Sequence, residues 1–386
     1  MIENTNISVD FVVRKIQENL NVADFELTGY ELEPLSVGAQ TGLLSRIWRL
    51  KLDWKEDEGV GILPVKVILK IPSSDTLSVI EDNVVEGLPI DFLKIVHQAE
   101  CRMYTTFGQL PDPPIPIAHC YFAREIQIEE PGLLILEDVS DRGIQIPFDE
   151  GLSVSQCISQ VEKLAQFHAY CLQNPQVLDN FRAQEMQDFA AFAFYFELTK
   201  QLLPDFCPEL AILLPRICDL FTVERMYQGL NAHKTENLPS VVVHGDPWSN
   251  NLFFNQDEVS AIIDWQFANP GSPIIDLARL IMSNLEPEKR RNHWEEILSH
   301  YYLSLSTKLG SAAPFSFANL KWTFKKQFAF ALVWFTVDCS TFISSNPGLK
   351  MDEGARKARK IANRLKCVIE DCLVFEAELC DISSFD

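Results

Sequence analysis

None of the ten cysteines stands in a CxxC pair, and there is no Cys/His cluster at zinc spacing. A dithiol redox motif and a cysteine-based metal module are therefore excluded. Most thiols, among them Cys101, Cys171, Cys218 and Cys372, fall in apolar helical patterns. Buried free thiols in a reducing compartment are the expectation. Basic residues are scarce, 33 Lys and Arg against 54 Asp and Glu, for a formal net charge of −21. So acidic a chain repels phosphate backbones, and nucleic acid is not an expected partner. The N-terminal MIENTNISVD has no basic region followed by an apolar run, so it does not read as a secretory signal. No uninterrupted apolar stretch approaches a membrane span, and a soluble cytoplasmic protein with no membrane partner is expected. Internal repeats and low-complexity segments are also lacking.

What is present supports a large core. Hydrophobic residues make up 47% of the 386 residues and charged ones 23%, which suits two lobes better than one average domain. A first helix capped by Ser8 carries Val9, Val12, Val13, Ile16 and Leu20 on one face. From Phe25 short strands follow. LLSRIWRLKLDW, residues 43 to 54, alternates Trp48, Leu50 and Leu52 with Arg49, Lys51 and Asp53, as a half-buried strand does. In the next strand Val65, Val67, Leu69 and Ile71 share one face and leave Lys66, Ile68 and Lys70 on the other. A helix over residues 91 to 108 sets Glu100 only roughly 80° from Phe92 at the flank of its apolar stripe. There it can turn inward to Lys70; a plain exposed glutamate fits the same spacing.

Before these strands SVGAQTGLLS, residues 36 to 45, offers Gly38 and Gly42 in a turn whose amides can approach phosphates, though most glycine turns are only turns. LLILEDVSDRG, residues 133 to 143, ends an apolar strand where an interlobe hinge would fall. Backbone groups around Glu137 to Val139 can meet adenine edges there, and an ordinary strand-to-loop junction reads identically. This divides the chain into an N-terminal lobe, 1–137, and a larger C-terminal lobe, 138–386. The second is mostly helical: roughly Ser153 to Gln173, Phe181 to Leu203, Glu209 to His233, Glu286 to Gly310, Phe317 to Ser344 and Asp352 to about Leu379. His168 on an apolar helix face reads as a satisfied core residue. The aromatic tract FANLKWTFKKQFAFALVWFTVDCSTF reads by default as core.

The chemistry concentrates in VVVHGDPWSNNLFFNQDEVSAIID, Val241 to Asp264. A β-branched strand breaks into a polar loop with His244, Gly245, Asp246 and Asn251, and a hairpin then runs to Asp264, which is expected to close its second strand. An aspartate, an asparagine five residues on and a second aspartate beyond a hairpin suit phosphoryl transfer. Asp246 accepts the proton of a substrate hydroxyl, while Asn251 and Asp264 offer hard oxygen ligands to Mg²⁺. Lys70, steadied by Glu100, supplies the cation that ATP needs on so acidic a chain. His244 stiffens the loop. The helix after Pro273, capped near Asp276, braces the same loop through backbone hydrogen bonds.

HGDPWSNN followed by IIDWQ and GSPIIDLARL resembles the CHK kinase-like group that includes the ecdysteroid kinase-like proteins. These are relatives of choline kinases and aminoglycoside phosphotransferases in the protein-kinase-like superfamily. Trp248 and the DWQ from Asp264 to Gln266 carry most of the likeness; LLILEDVS and LAQFHA add to it. It covers roughly Leu35 to Leu285, and the C-terminal helices match only in kind. Pro247 departs from the leucine common after HGD. The resemblance implies an α+β, two-lobe protein-kinase-like fold with an N-terminal antiparallel sheet plus helix. It also implies ATP and magnesium as cofactors, with Asp246, Asn251, Asp264 and Lys70 in the roles given above. The expected activity is transfer of the γ-phosphate to a small-molecule hydroxyl acceptor. The aromatic tract favours a bulky, steroid-type alcohol and the net charge a cationic one such as choline or an aminoglycoside; a catalytically silent binding protein is the rival from another class.

Overall fold

The computed structural model describes residues 2, 5–22, 25–35, 44–55, 63–73, 90–128, 130–183, 192–344 and 352–383. The chain divides into two compact units, Met1–Pro113 with Ile117–Asp141, and Pro114–Pro116 with Arg142–Asp386.

The first unit is built on a five-stranded antiparallel sheet. Strands β1 (Leu27–Pro34), β2 (Ser45–Trp54), β3 (Lys66–Pro72), β4 (Cys120–Arg124) and β5 (Leu133–Glu137) lie in the order β1-β2-β3-β5-β4. Helix α1 (Val9–Leu20) starts at Ser8, whose side chain accepts from the Phe11 amide, and ends at Asn21 in the left-handed region. Its Val9, Val12, Val13 and Ile16 join Trp48, Leu50, Leu52, Val67, Leu69 and Ile71 in one buried cluster. The period-2 alternation that sends Val67, Leu69 and Ile71 to α1 sends Lys70 to the opposite face, toward α2 (Ile90–Phe107). Val65 does not join the core: it is 66% exposed, and the strand starts one residue later.

The second unit is mostly helical. Helix α3 (Val154–Gln173) begins with a full capping box between Ser153 and Gln156 and packs along α7 (Pro287–Leu309). Between them in sequence lie α4 (Phe192–Leu202), α5 (Val223–Leu230) and α6 (Pro273–Asn284), with α8 (Phe317–Ser344) and α9 (Asp352–Ser383) following. Two expected helices are shorter or broken. Phe181 is extended rather than helical, and Leu214–Phe221 is a 3₁₀ segment with a proline in its first turn, so no single helix runs from Glu209 to His233. Pro215 cannot donate the backbone bond that an α-helix needs. Thr222 then caps α5 afresh by accepting from the Arg225 amide.

Two small antiparallel pairs sit among these helices: β6 (Val241–Val243) with β9 (Asn269–Gly271), and the hairpin β7 (Leu252–Asn255) with β8 (Glu258–Ile262). Among the described residues one helix, α8, is long and apolar enough by length and composition to cross a membrane, where the sequence reading expected none. Of its most apolar window 67% is buried; α4, α6 and α9 pack against it, so its apolar character fills a core. All ten cysteines are free, and Cys218, expected inside a helix face, is exposed with Cys380.

Candidate active site

The loop after β6 is fixed residue by residue. Gly245 takes φ 82°, and a Cβ there would lie 2.8 Å from the Phe267 carbonyl oxygen, so only glycine fits. The Asp246 amide donates to His244 Nδ1 at 3.1 Å, and His244 Nε2 bonds the Ile263 carbonyl at 3.0 Å. An amide must donate and a carbonyl must accept, so the imidazole proton sits on Nε2 and both ring nitrogens are spent on backbone. Asn251 Nδ2 donates to the Asp246 carbonyl at 2.9 Å and to its carboxylate Oδ2 at 3.2 Å. With the amide nitrogen so committed, Oδ1 is the Asn251 atom that could take a metal ion.

Asp264 does not close a strand. β8 ends at Ile262, and Asp264 takes φ 63°, a left-handed bend that cannot continue the ladder and that aspartate tolerates better than most residues. The Ile263 amide donates to the Asn251 carbonyl at 2.9 Å. One backbone bond therefore ties the residue before Asp264 to Asn251, whose side chain is in turn tied to Asp246. Among the described residues no group of three or more His, Cys, Asp or Glu is placed to hold a metal ion. Asn251 and Asp264 could each offer a hard oxygen to Mg²⁺, which keeps waters and takes phosphate oxygens and so needs few protein ligands.

Helix α6 is buried along its whole length and holds four successive loop residues. Ser272, not a residue near Asp276, caps it, with Pro273 in its first turn. Asp276 is fully buried and accepts from the His244 and Gly245 amides, both at 2.8 Å. Arg279, one turn on, donates to Asp246 Oδ1. Asn284 Nδ2 donates to the Pro247 carbonyl at 3.0 Å. The positions 276, 279 and 284 share a helix face. His168, fully buried, bonds the Tyr301 hydroxyl at 2.9 Å through Nδ1; its Nε2 has no hydrogen bond and lies 3.8 Å from Asp276, so this core histidine is only half satisfied.

Two charged residues at this site escaped sequence reasoning. Arg279 is 1% exposed. Besides Asp246 it bonds Asp338 of α8 with both terminal nitrogens, at 2.6 and 3.1 Å. Burial works against the guanidinium charge, but Asp338 and then Asp246 outweigh it and hold its pKa above the usual value. Burial pushes the Asp338 carboxyl up to about 6 against the pull of Arg279, with Asp246 adding to the rise. The available signal was composition at Asp338, the lone charge between Gln327 and Ser344 of α8, whereas Arg279 shares its short helix with Asp276; buried charges need partners.

In the first unit Lys70 is 6% exposed and Glu100 2%, and they form an ion pair of 2.8 Å, which excludes the exposed-glutamate reading. Lys66 reaches Ser140 at 2.9 Å and Asp141 at 2.7 Å. Glu137 pairs with Val67 across the sheet, and its carboxylate accepts from the His119 amide at 3.0 Å. Val139 is buried in the 3₁₀ turn Val139–Asp141 that follows. Gly38 and Gly42 lie outside the described residues.

Comparison with known proteins bears on the family and the fold. The model of the family DUF1679, described as "Uncharacterized oxidoreductase dhs-27", matches residues 2–378. The chain belongs to this family. It is 25% identical over 319 residues to the "Uncharacterized kinase-like protein D1044.1" of Caenorhabditis elegans, covering 79% of this chain and 83% of that one. It is 21% identical over 293 residues to "Uncharacterized oxidoreductase dhs-27" of the same nematode, covering 69% of this chain but only 34% of that longer protein. Among solved structures, choline kinase from Cryptosporidium parvum superposes with a TM-score of 0.51 at 12% identity over 97% of both chains. A putative aminoglycoside phosphotransferase from Ralstonia eutropha gives 0.50 at 11% identity, over 95% of this chain and 98% of its own. The fold is thus the α+β, two-lobe protein-kinase-like one, with an N-terminal antiparallel sheet and a larger helical C-terminal lobe.

Proposed function

We propose that this chain is a cytoplasmic, ATP- and magnesium-dependent small-molecule kinase that phosphorylates a hydroxyl of a small organic acceptor. The observation that carries the reading is the linkage of Asp246, Asn251 and the Ile263–Asp264 bend in one hydrogen-bonded loop system. Asp246 accepts the acceptor's hydroxyl proton as that oxygen bonds to the γ-phosphorus and the bridging oxygen leaves with ADP. Asn251 and Asp264 would hold magnesium, whose charge offsets that of the phosphates when it is bound. Lys70, kept in place by Glu100, offers its ammonium to the ATP phosphates, and backbone around Glu137 and Val139 offers adenine its edge contacts. The acceptor is assigned to bulky, apolar-bodied alcohols of the steroid type, supported by Phe267 and Trp334, whose rings meet edge to face at 5.0 Å with Trp334 against Arg279.

The test begins with Mg-ATP alone, which should raise the melting temperature. Asp264→Ala should remove most of that shift, whereas Asp246→Asn should keep it and lower phosphate transfer by roughly 10² to 10⁴. Acceptors are found by ATP consumption over steroid alcohols, amino alcohols and aminoglycosides. A shift unchanged in Asp264→Ala, or near-normal turnover in Asp246→Asn, sinks these assignments. Wild-type protein that binds Mg-ATP and consumes none with any acceptor is a silent binding protein.

A further inference from the structure

The guanidinium of Arg279 is the hub of three helical and loop segments. It donates to Asp246 Oδ1, to both carboxylate oxygens of Asp338 and, through Nη1, to Ser283 Oγ at 3.2 Å. Its plane lies over Trp334, 5.4 Å from the ring centroid. Trp334 stands one turn before Asp338 on α8, so that helix supplies both the aromatic backing and the counter-charge. The Asp246 carboxylate is consequently held at each oxygen from a different element: Oδ1 by Arg279 of α6, Oδ2 by Asn251 of its own loop. Two anchors fix both side-chain torsions, while each oxygen keeps a further lone pair for an incoming proton.

Asp338 alters what the arginine does to its neighbour. An arginine paired with Asp246 alone would place its whole charge on that carboxylate. Here the fork's bidentate contact is with Asp338, and Asp246 receives a single N–H. The side chains of Asp246 and Asp338 are each 11% exposed while that of Arg279 is 1% exposed, so the cation is shielded from solvent and shared between two acids.

We propose that Arg279 and Asp338 are positioning residues for Asp246: the arginine aims the carboxylate, and Asp338 holds the arginine and balances its charge. This rests on Asp246 being the base. Both residues act through the Asp246 carboxylate and neither is assigned a contact with ATP or the acceptor, so their contribution lies in orientation, where a displacement near 1 Å costs about 10² in rate.

The decisive variant is Arg279→Met with Asp338→Leu, which removes both charges together and leaves neither of them buried and unpaired. Mg-ATP turnover is followed with the acceptor returned by the screen, and as basal ATP hydrolysis with water in its place. The expected result is a fall in kcat of about 10² with the KM for Mg-ATP and its thermal shift kept within about twofold. Arg279→Lys, which retains the charge and loses the fork, should recover only part of that fall. A crystal structure of the double variant should show the Asp246 carboxylate turned from its contact with Asn251. The proposal is overturned if kcat per folded molecule is unchanged, if KM rises in step with any loss of kcat, or if the carboxylate keeps its place. Wild-type protein without measurable turnover removes the kinase reading, and the crystallographic comparison still decides whether Arg279 and Asp338 position Asp246.

Discussion

Two charged constellations of this protein are built in opposite ways. Lys70 pairs with Glu100, thirty residues away in sequence, on a sheet and a helix whose periodicities are regular. Asp246 stands in a loop with little structure of its own and is held from outside, by a helix that meets four successive loop residues and, through Arg279, by an acid of α8. A strand places a side chain by alternation alone. A loop needs each of its groups tied down, and the ties come from far along the chain. The consequence is energetic: disturbing the Lys70 pair should change what the protein binds, and disturbing the brace should change whether the loop persists.

The sharpest way to break that contrast is Asp276→Ala. The carboxylate is fully buried and accepts two backbone amides, and a hydrogen bond to a charged group contributes about 1.5 to 3 kcal/mol. The variant should lose about 3 to 5 kcal/mol of stability by denaturant midpoint and lose turnover as well. A loss below about 1 kcal/mol would mean that the loop stands without α6.

A pH effect of slightly smaller size belongs to the first unit. His97 on α2 is 3% exposed, and its Nε2 bonds the Arg124 carbonyl at 2.9 Å. Burial first, and Lys70 after it, lower its pKa from 6.5 to about 4, although the carbonyl acts the other way. The folded state therefore refuses a proton that the unfolded chain accepts below pH 6.5. Stability from this group is complete above that pH and is lost as pH falls toward 4, by about 3 kcal/mol in all. His97→Gln should flatten the stability curve between pH 6.5 and 4; a slope equal to wild type would place the acid sensitivity elsewhere.

How much could be read in the sequence follows the same division. Alternation in VKVILKI put Lys70 opposite the α1 face, and helical angle put Glu100 within its reach. The HGD loop was legible because Gly245, Asp246 and Asn251 sit close together in one segment. Its brace was legible only at Asp276, and the cap was misplaced because Ser272 and Pro273 outrank an interior aspartate as start signals. Arg279 and Asp338 went unread because each is separated from its partner by dozens of residues, and periodicity relates only near neighbours. The isolated charge of Asp338 in the apolar C-terminal half of α8 was the one trace in the sequence. Pro215 misled in the other direction, since apolar periodicity continues through a break that the missing N–H imposes.

The smallest stability effect gives the most selective test of the comparison. Replacing Lys70 alone strands a buried carboxylate, and such a loss reports the orphan rather than the pair. Lys70→Met with Glu100→Leu removes both charges and substitutes apolar groups of similar size. Exchanges of that kind are often neutral in stability, so the melting temperature without ligand should stay within a few degrees of wild type. The Mg-ATP shift should nevertheless shrink, with affinity reduced about tenfold or more, since the phosphates lose their fixed ammonium at a cost of at least ~1.4 kcal/mol. A double variant that melts far below wild type would show that the pair supports the fold, as the brace does. One that keeps the full Mg-ATP shift would remove Lys70 from the phosphates and leave the pair as a packing device between β3 and α2.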